Sequence, residues 1–282
     1  MVYYVVIPAY NEADYIKLTL DSLVSQTRLP ARVVVVDDNS ADETSKIVSA
    51  YAEKYAFIDL INKESEHIHL PGSKVINAFQ EGVKQLDQHY DILVKLDADI
   101  ILPKNYFEVI INAFEGNSRL GMAGGFAYIE KNGDWILENL TDKDHIRGAF
   151  KAYRKECLQQ IGGLKPAMGW DTVDELLCRF YNWKIQTFPE LHVKHLKPTG
   201  AKYDKTARYK QGEAFYRLGY DLSIVTIASL KLASKKGQPL LFIDYMKGYL
   251  KAKKEAKPLL VTAEQAEFIR KYRWKKIKSK LF

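Results

Sequence analysis

Two aspartates one residue apart, Asp97 and Asp99, close a run of strand-favouring residues from Ile92 to Leu96, and Pro103 keeps the strand from continuing. Carboxylates at a strand end on the edge of a cleft offer the oxygen ligands that a hard divalent cation takes, and such a cation can hold phosphate. The same pair would also serve as a solvated turn, for which aspartate is well suited. The sequence upstream separates the two readings, because further polar clusters, Tyr10-Asn11-Glu12 and Asp37-Asp38, end apolar runs in the same way.

The elements that must position these clusters alternate between strand and helix. Tyr3 to Ile7 is a β-rich run stopped by Pro8, and Asn11 is placed to cap a helix from about Glu12 to Gln26 with Ile16, Leu20, Leu23 and Val24 on one face. Arg32 to Val36 is a strand too apolar to have a wet face. Ser40 and Glu43 have the spacing of a capping box before a helix reaching about Lys54. A third strand, Phe57 to Ile61, a third helix, Ser73 to Leu86, and a fourth strand, Asp91 to Leu96, follow. This alternation predicts parallel strands joined by right-handed crossovers, with every polar cluster on the rim at the strands' carboxyl ends.

Val6-Ile7-Pro8-Ala9-Tyr10-Asn11-Glu12, Val36-Asp37-Asp38-Asn39-Ser40 and Leu96-Asp97-Ala98-Asp99, in that order and spacing, resemble the motifs of family 2 glycosyltransferases. Gly148 to Arg154, continuing through Ile161-Gly162-Gly163-Leu164, resembles that family's segment before the acceptor site. The resemblance covers residues 1–200 and implies an α/β GT-A fold: a Rossmann-like mixed sheet flanked by helices, here with a helical C-terminal extension. It implies an inverting, metal-assisted transfer from a nucleoside diphosphate sugar to a saccharide or lipid-linked glycan, with Mg2+ or Mn2+ as cofactor. Pro8, Ala9, Tyr10, Glu12, Asp37, Asp38, Lys74, Asp97 and Ala98 then fall to the nucleotide sugar. Asp99 is the expected metal ligand, Asp97 lies nearer the ribose or behind the metal, and His195 is a third ligand, a diphosphate contact or an ordinary strand histidine.

The acceptor hydroxyl needs a carboxylate to take its proton. Asp171, Asp174 and Glu175 occupy the place of the family's Glu-Asp motif, but no single register matches every position. They open a helix expected to run to about Trp183, where the dipole keeps acids ionised. Asp174 is the expected base, Asp171 the expected cap and Glu175 the reserve. Two other functions remain open: an inactive homologue serving as a binding or scaffold subunit, and a nucleotidyltransferase. The second would be expected to carry a basic glycine-rich loop after the first strand, where Ala9-Tyr10-Asn11-Glu12 stands instead.

A chain of 282 residues can bury a sizeable core in one or two domains. Residues 1–103 are expected to form the nucleotide-sugar half, 104–200 the acceptor half and 201–282 a basic extension. From Ala201 onward 20 lysines and arginines face 7 acids, whereas the preceding part has 22 against 28. Leu241, Phe242, Tyr245, Met246, Tyr249 and Leu250 make an apolar stripe beside Lys247, Lys251, Lys253 and Lys254, suited either to an anionic membrane surface or to packing on the core. Thr262 and Gln265 form a further capping box, and Gly212, Tyr216, Gly219 and Tyr220 mark expected packing of the extension. No nucleic-acid motif accompanies the basic charge, so a nucleic-acid partner is not expected. Cys157 and Cys178 lack metal-ligand spacing and are too few for a disulfide framework. Tyr3 to Ile7 is too short for a signal-peptide core, and no stretch approaches the roughly 18 apolar residues of a spanning helix. The expected location is the cytoplasm, with a peripheral place on the inner face of the membrane open to the extension.

Overall fold

The computed structural model describes residues 1–64, 72–138, 142–197 and 205–281. The first half builds a parallel layer from β1 (Tyr3–Ala9), α1 (Ile16–Val24), β2 (Arg32–Asp37), α2 (Thr44–Lys54), β3 (Ile58–Asn62), α3 (Ser73–Lys84) and β4 (Ile92–Leu96). Then come β5 (Ile100–Ile101), α4 (Tyr106–Gly116), β6 (Leu120–Lys131), β7 (Asp134–Leu137), β8 (Phe150–Arg154), α5 (Lys155–Gln160), α6 (Trp170–Phe180) and β9 (Lys184–His195). The extension comprises α7 (Lys205–Arg217), α8 (Leu222–Lys235), α9 (Leu241–Lys254) and α10 (Ala263–Leu281). The strands form one sheet in the order β3-β2-β1-β4-β8-β6-β9-β5, with β7 pairing to β6. The pairs among β1 to β4 are parallel, whereas β8 runs antiparallel to both β4 and β6. The expected boundary near residue 200 falls outside the described residues.

Strands β1, β2 and β4 are buried on both faces, which is why their sequences run apolar without alternation. Pro8 does not end β1 as expected. It pairs with Val36 beyond the last β1–β4 pair, Val6 with Lys95, so the N–H it lacks is not missed on that side. The β1, β2 and β4 ends lie side by side, which puts Tyr10-Asn11-Glu12, Asp37-Asp38 and Asp97-Asp99 on one rim.

The first two helices begin later than their expected caps, because the loop side chains bond to each other instead. Asn11 takes a left-handed φ of 53°, its N–H donates to Ser40 Oγ at 2.9 Å, and its Oδ1 accepts from the Ala41 N–H at 2.8 Å. Glu12 N–H donates to Thr44 Oγ1 at 2.8 Å. Ser40 therefore forms no box with Glu43; Asp42 accepts from the Thr44 N–H at 3.0 Å. These cross-loop bonds fasten the β1 and β2 ends together. The box at Thr262 and Gln265 is formed reciprocally, at 2.9 and 3.3 Å.

A polar edge of α1 holds the Asp97-Ala98-Asp99 turn. Thr19 Oγ1 donates to Ala98 O at 2.7 Å and accepts from the Ile100 N–H at 3.0 Å, while Ser22 Oγ accepts from Leu102 and Gln26 Nε2 donates to Pro103 O. In the extension α7 and α9 meet almost backbone to backbone. A Cβ on Gly212 would lie 1.8 Å from Tyr245 O, and one on Gly248 would lie 2.0 Å from Tyr209 O. The stripe of α9 is an internal seam, with Leu241, Tyr245 and Tyr249 buried, although Leu250 at its edge is exposed.

Because Thr19 serves a buried acceptor and a buried donor at once, Thr19→Val should destabilise the fold by about 1–3 kcal/mol. Equilibrium denaturation checks this; a change within about 0.5 kcal/mol, typical of an uninvolved surface site, would show that Thr19 does not hold the turn.

Candidate active site

The short pairing of β5 with β9 sets Ile100 opposite His195, and the Leu196 N–H donates to Asp99 O at 2.9 Å. Residues almost a hundred positions apart thus converge. His195 Nε2 lies 3.5 Å from Asp99 Oδ2, and its Nδ1 is buried without a hydrogen-bond partner. Burial works against a charge on the imidazole, but the Asp99 carboxylate, reinforced by Asp97 and Glu138, raises its pKa. The Asp97 carboxylate is paired with Lys95, which engages it in support of the turn and not as a direct metal ligand. Glu12 pairs with Lys197, and burial together with the nearby Asp99 and Asp97 charges lifts it to about 7 against the pull of that lysine.

The rest of the rim is built from the β1 and β2 ends. Asp37 Oδ1 accepts from the Ser40 N–H at 3.0 Å, and Lys63 Nζ stands 3.3 Å from Asp38 Oδ1. Tyr10 is exposed, with Lys74 Nζ 5.9 Å from its ring centre. Pro8, Ala9 and Ala98 are buried.

Across the sheet α6 delivers three acids with three different fates. The helix starts at Trp170 after Gly169 (φ 82°), so Asp171 is not its cap. Gly148 leaves the room this needs, since a Cβ there would lie 2.5 Å from the Trp170 ring. Asp174, the expected base, is 2 % exposed. It takes Lys151 Nζ at 3.1 Å on both oxygens, Tyr153 OH at 2.6 Å and the Glu175 N–H at 2.6 Å. Each of its oxygens accepts two of these contacts and the side chain is buried, an arrangement that suits a structural anchor. Glu175 accepts from the Ile146 N–H at 2.8 Å and Lys151 at 3.2 Å and is also largely sealed. Asp171 keeps its side chain about one third exposed, 3.7 Å from His145 Nε2, while His145 Nδ1 meets Glu175 at 3.1 Å.

Burial disfavours charge on Asp171, yet His145, Lys151 and Arg147 together hold its carboxyl well below the usual range. The reciprocal effect on His145 is large: burial opposes its charge, but Asp171 and Glu175 push it up to about 9. Lys95, Lys151, Tyr153, His145 and Lys197 are site residues that motif reading missed. Lysines inside otherwise apolar strands, at 95 and 151, were the available signal.

A model of the family described as glycosyl transferase family 2 matches residues 4–166, more than half of the chain. The chain belongs to this family. Poly-beta-1,6-N-acetyl-D-glucosamine synthase of Staphylococcus epidermidis is 25% identical over 203 residues, covering 64% of this chain and 44% of that protein. The chain spans about half the length of the curated relatives it matches. The GT-A fold is shared with mannosyltransferase PcManGT from Pyrobaculum calidifontis in complex with GDP-Man and Mn2+ (16% identity, TM-score 0.58, covering 99% of this chain and 80% of that one). It is shared also with S. aureus TarS 1–349 in complex with UDP-GlcNAc (18%, TM-score 0.59, 95% and 78%).

The raised His145 pKa fixes a sign for stability. Unfolded histidine titrates near about 6.5, so the stabilisation from protonated His145 is fully present below that pH and is lost as pH rises through about 9. Denaturant melts from pH 6 to about 9.5 should show this decline in the wild type and a flatter profile in His145→Gln. Parallel profiles would mean that His145 is not held in its charged form.

Proposed function

We propose that this protein transfers a sugar from a nucleoside diphosphate sugar to an acceptor hydroxyl with inversion, and that Asp171 is the base. The carrying observation is the convergence of Asp99 and His195 on the rim that already presents Asp37, Asp38, Tyr10 and Lys74. An oxygen donor beside an imidazole whose second nitrogen is buried and unpaired fits a divalent cation such as Mn2+. Among the described residues no group of three potential ligands forms, so Asp99 and His195 would hold the ion together with donor phosphate and water. When bound, the cation offsets the negative charge that grows on the departing diphosphate.

The other roles belong to the chain. Asp37 and Asp38 accept from base and ribose, and Tyr10 and Lys74 close over the nucleotide. Asp171, ionised and open to solvent, takes the proton as the acceptor oxygen bonds to the anomeric carbon. The bond from that carbon to the donor's phosphate oxygen breaks, and the nucleoside diphosphate leaves with the electron pair. His145, between Asp171 and Glu175, keeps Asp171 anionic and correctly turned.

Asp171→Asn should lower kcat by about 10²–10⁴-fold with little change in donor KM, whereas Asp174→Asn should chiefly lower the melting temperature. A reversed ranking returns the base to Asp174. Asp99→Asn should remove metal-dependent nucleotide binding in a folded protein, read by thermal shift with and without manganese; retained metal dependence would refute the ligand.

No helix among the described residues is long and apolar enough to cross a membrane. The seam on α9 is unavailable to lipid, but its outer face, Ile243, Lys247, Leu250 and Lys254, is exposed and mixes apolar with basic side chains. This supports a peripheral contact with an anionic surface. Co-sedimentation with anionic liposomes should weaken as salt rises and when Lys247, Lys251 and Lys254 become Gln. Absence of binding at low salt would leave the extension purely structural.

A further inference from the structure

Lys197 stands two residues beyond His195, where the chain leaves the Asp99–His195 corner and crosses the rim. The Leu196 N–H donates to Asp99 O at 2.9 Å, which brings the end of β9 alongside the β4–β5 turn. From there Lys197 Nζ reaches the Glu12 carboxylate on the loop after β1 and lies 4.8 Å from the Tyr15 ring centre. Both Lys197 and Glu12 are half-buried.

The two sides of this contact differ in freedom. Glu12 is fixed through its backbone: its N–H donates to Thr44 Oγ1 at 2.8 Å, and its carbonyl accepts from the Tyr15 and Ile16 N–H groups at 2.9 and 2.8 Å. Lys197 carries its charge on a four-carbon stem, so the ammonium can change partner while the backbone stays in place. A partly exposed ion pair adds little stability, and a diphosphate offers the ammonium several charged oxygens in place of one carboxylate. Lys95, also close to the turn, is buried against Asp97 and stays there.

Glu12 also stands within reach of the Asp97 and Asp99 charges. Without Lys197 it would be repelled by them, unless a divalent cation at Asp99 and His195 offsets the acids. Exchange of Lys197 away from Glu12 is therefore favoured when cation and diphosphate arrive together.

We propose that Lys197 is a diphosphate contact held in reserve by Glu12, and that Glu12 competes with the donor for this ammonium. This rests on the reading that Asp99 and His195 hold a metal-bound nucleoside diphosphate. It gives Glu12 a partner in the chain in place of the direct nucleotide contact that the family resemblance implies.

Calorimetric titration of the full-length chain with UDP and with GDP in manganese, each beside its monophosphate, tests the exchange. Lys197→Gln should weaken the diphosphate that binds wild type by at least about tenfold, and the monophosphate by less. Glu12→Gln should tighten the same diphosphate by about threefold or more, because the ammonium is no longer withheld. The double variant should match Lys197→Gln alone. A folding defect would weaken binding in both single variants, so their opposite signs separate exchange from damage. Unchanged affinity in Lys197→Gln, or equal or weaker binding in Glu12→Gln, overturns the proposal. A Glu12→Gln gain that persists without Lys197 overturns it too, since it marks simple removal of a repelling charge. Wild-type protein that binds neither diphosphate overturns the transfer reading and this exchange with it, whereas wild-type binding with unmoved variants counts against the exchange alone.

Discussion

Two buried lysines set the terms for the rest of the site. Lys95 and Lys151 stand opposite each other on β4 and β8, 1 % and 0 % exposed, and the Trp170 ring covers both at 5.2 and 6.0 Å. An isolated ammonium in such a place costs several kcal/mol, and two side by side also repel. Each is neutralised from a different direction: Lys95 by Asp97 from the strand-end turn, Lys151 by Asp174 and Glu175 from α6. The charge balance of the core therefore requires the strand-end turn and α6 to be docked together. Asp99 and Asp171, the groups to which chemistry is assigned, sit two residues after Asp97 and three residues before Asp174.

This arrangement explains why acids in the same motif take different roles. Asp174 lies on the inward face of α6 and saturates with Lys151 and Tyr153, whereas Asp171, three residues earlier, remains at the helix mouth. Spacing alone cannot separate them, because positions three apart share a helix face. The distinction comes from Lys151 and Tyr153 on a strand twenty residues upstream, and only the folded register reveals it.

Much of the parallel first half was legible because it depends on local pattern. Val33 to Val36, buried on both faces, reads as an interior strand from composition, and the three polar clusters fall at strand ends as the alternation implies. The pairing of His195 with Asp99 was anticipated only as one of three possibilities, since it depends on a two-residue strand with no pattern of its own. Helix starts at Asn11 and Ser40 were misplaced for a shared reason: their side chains bridge two loops, a long-range use that competes with local capping. The α9 stripe was equally compatible with lipid and protein, and the glycines that seat α7 against it were the clue to protein.

That glycine contact has a mechanical result. Where Gly212 meets Tyr245 and Gly248 meets Tyr209, no side chain separates the backbones of α7 and α9, and dense contacts of this kind transmit displacement instead of absorbing it. The two helices are packed as one unit. Phe215 on α7 is buried, and Ile243 and Leu250 on α9 stand on the outer surface. A load on the outer face of α9 would therefore bear on α7 through backbone contact.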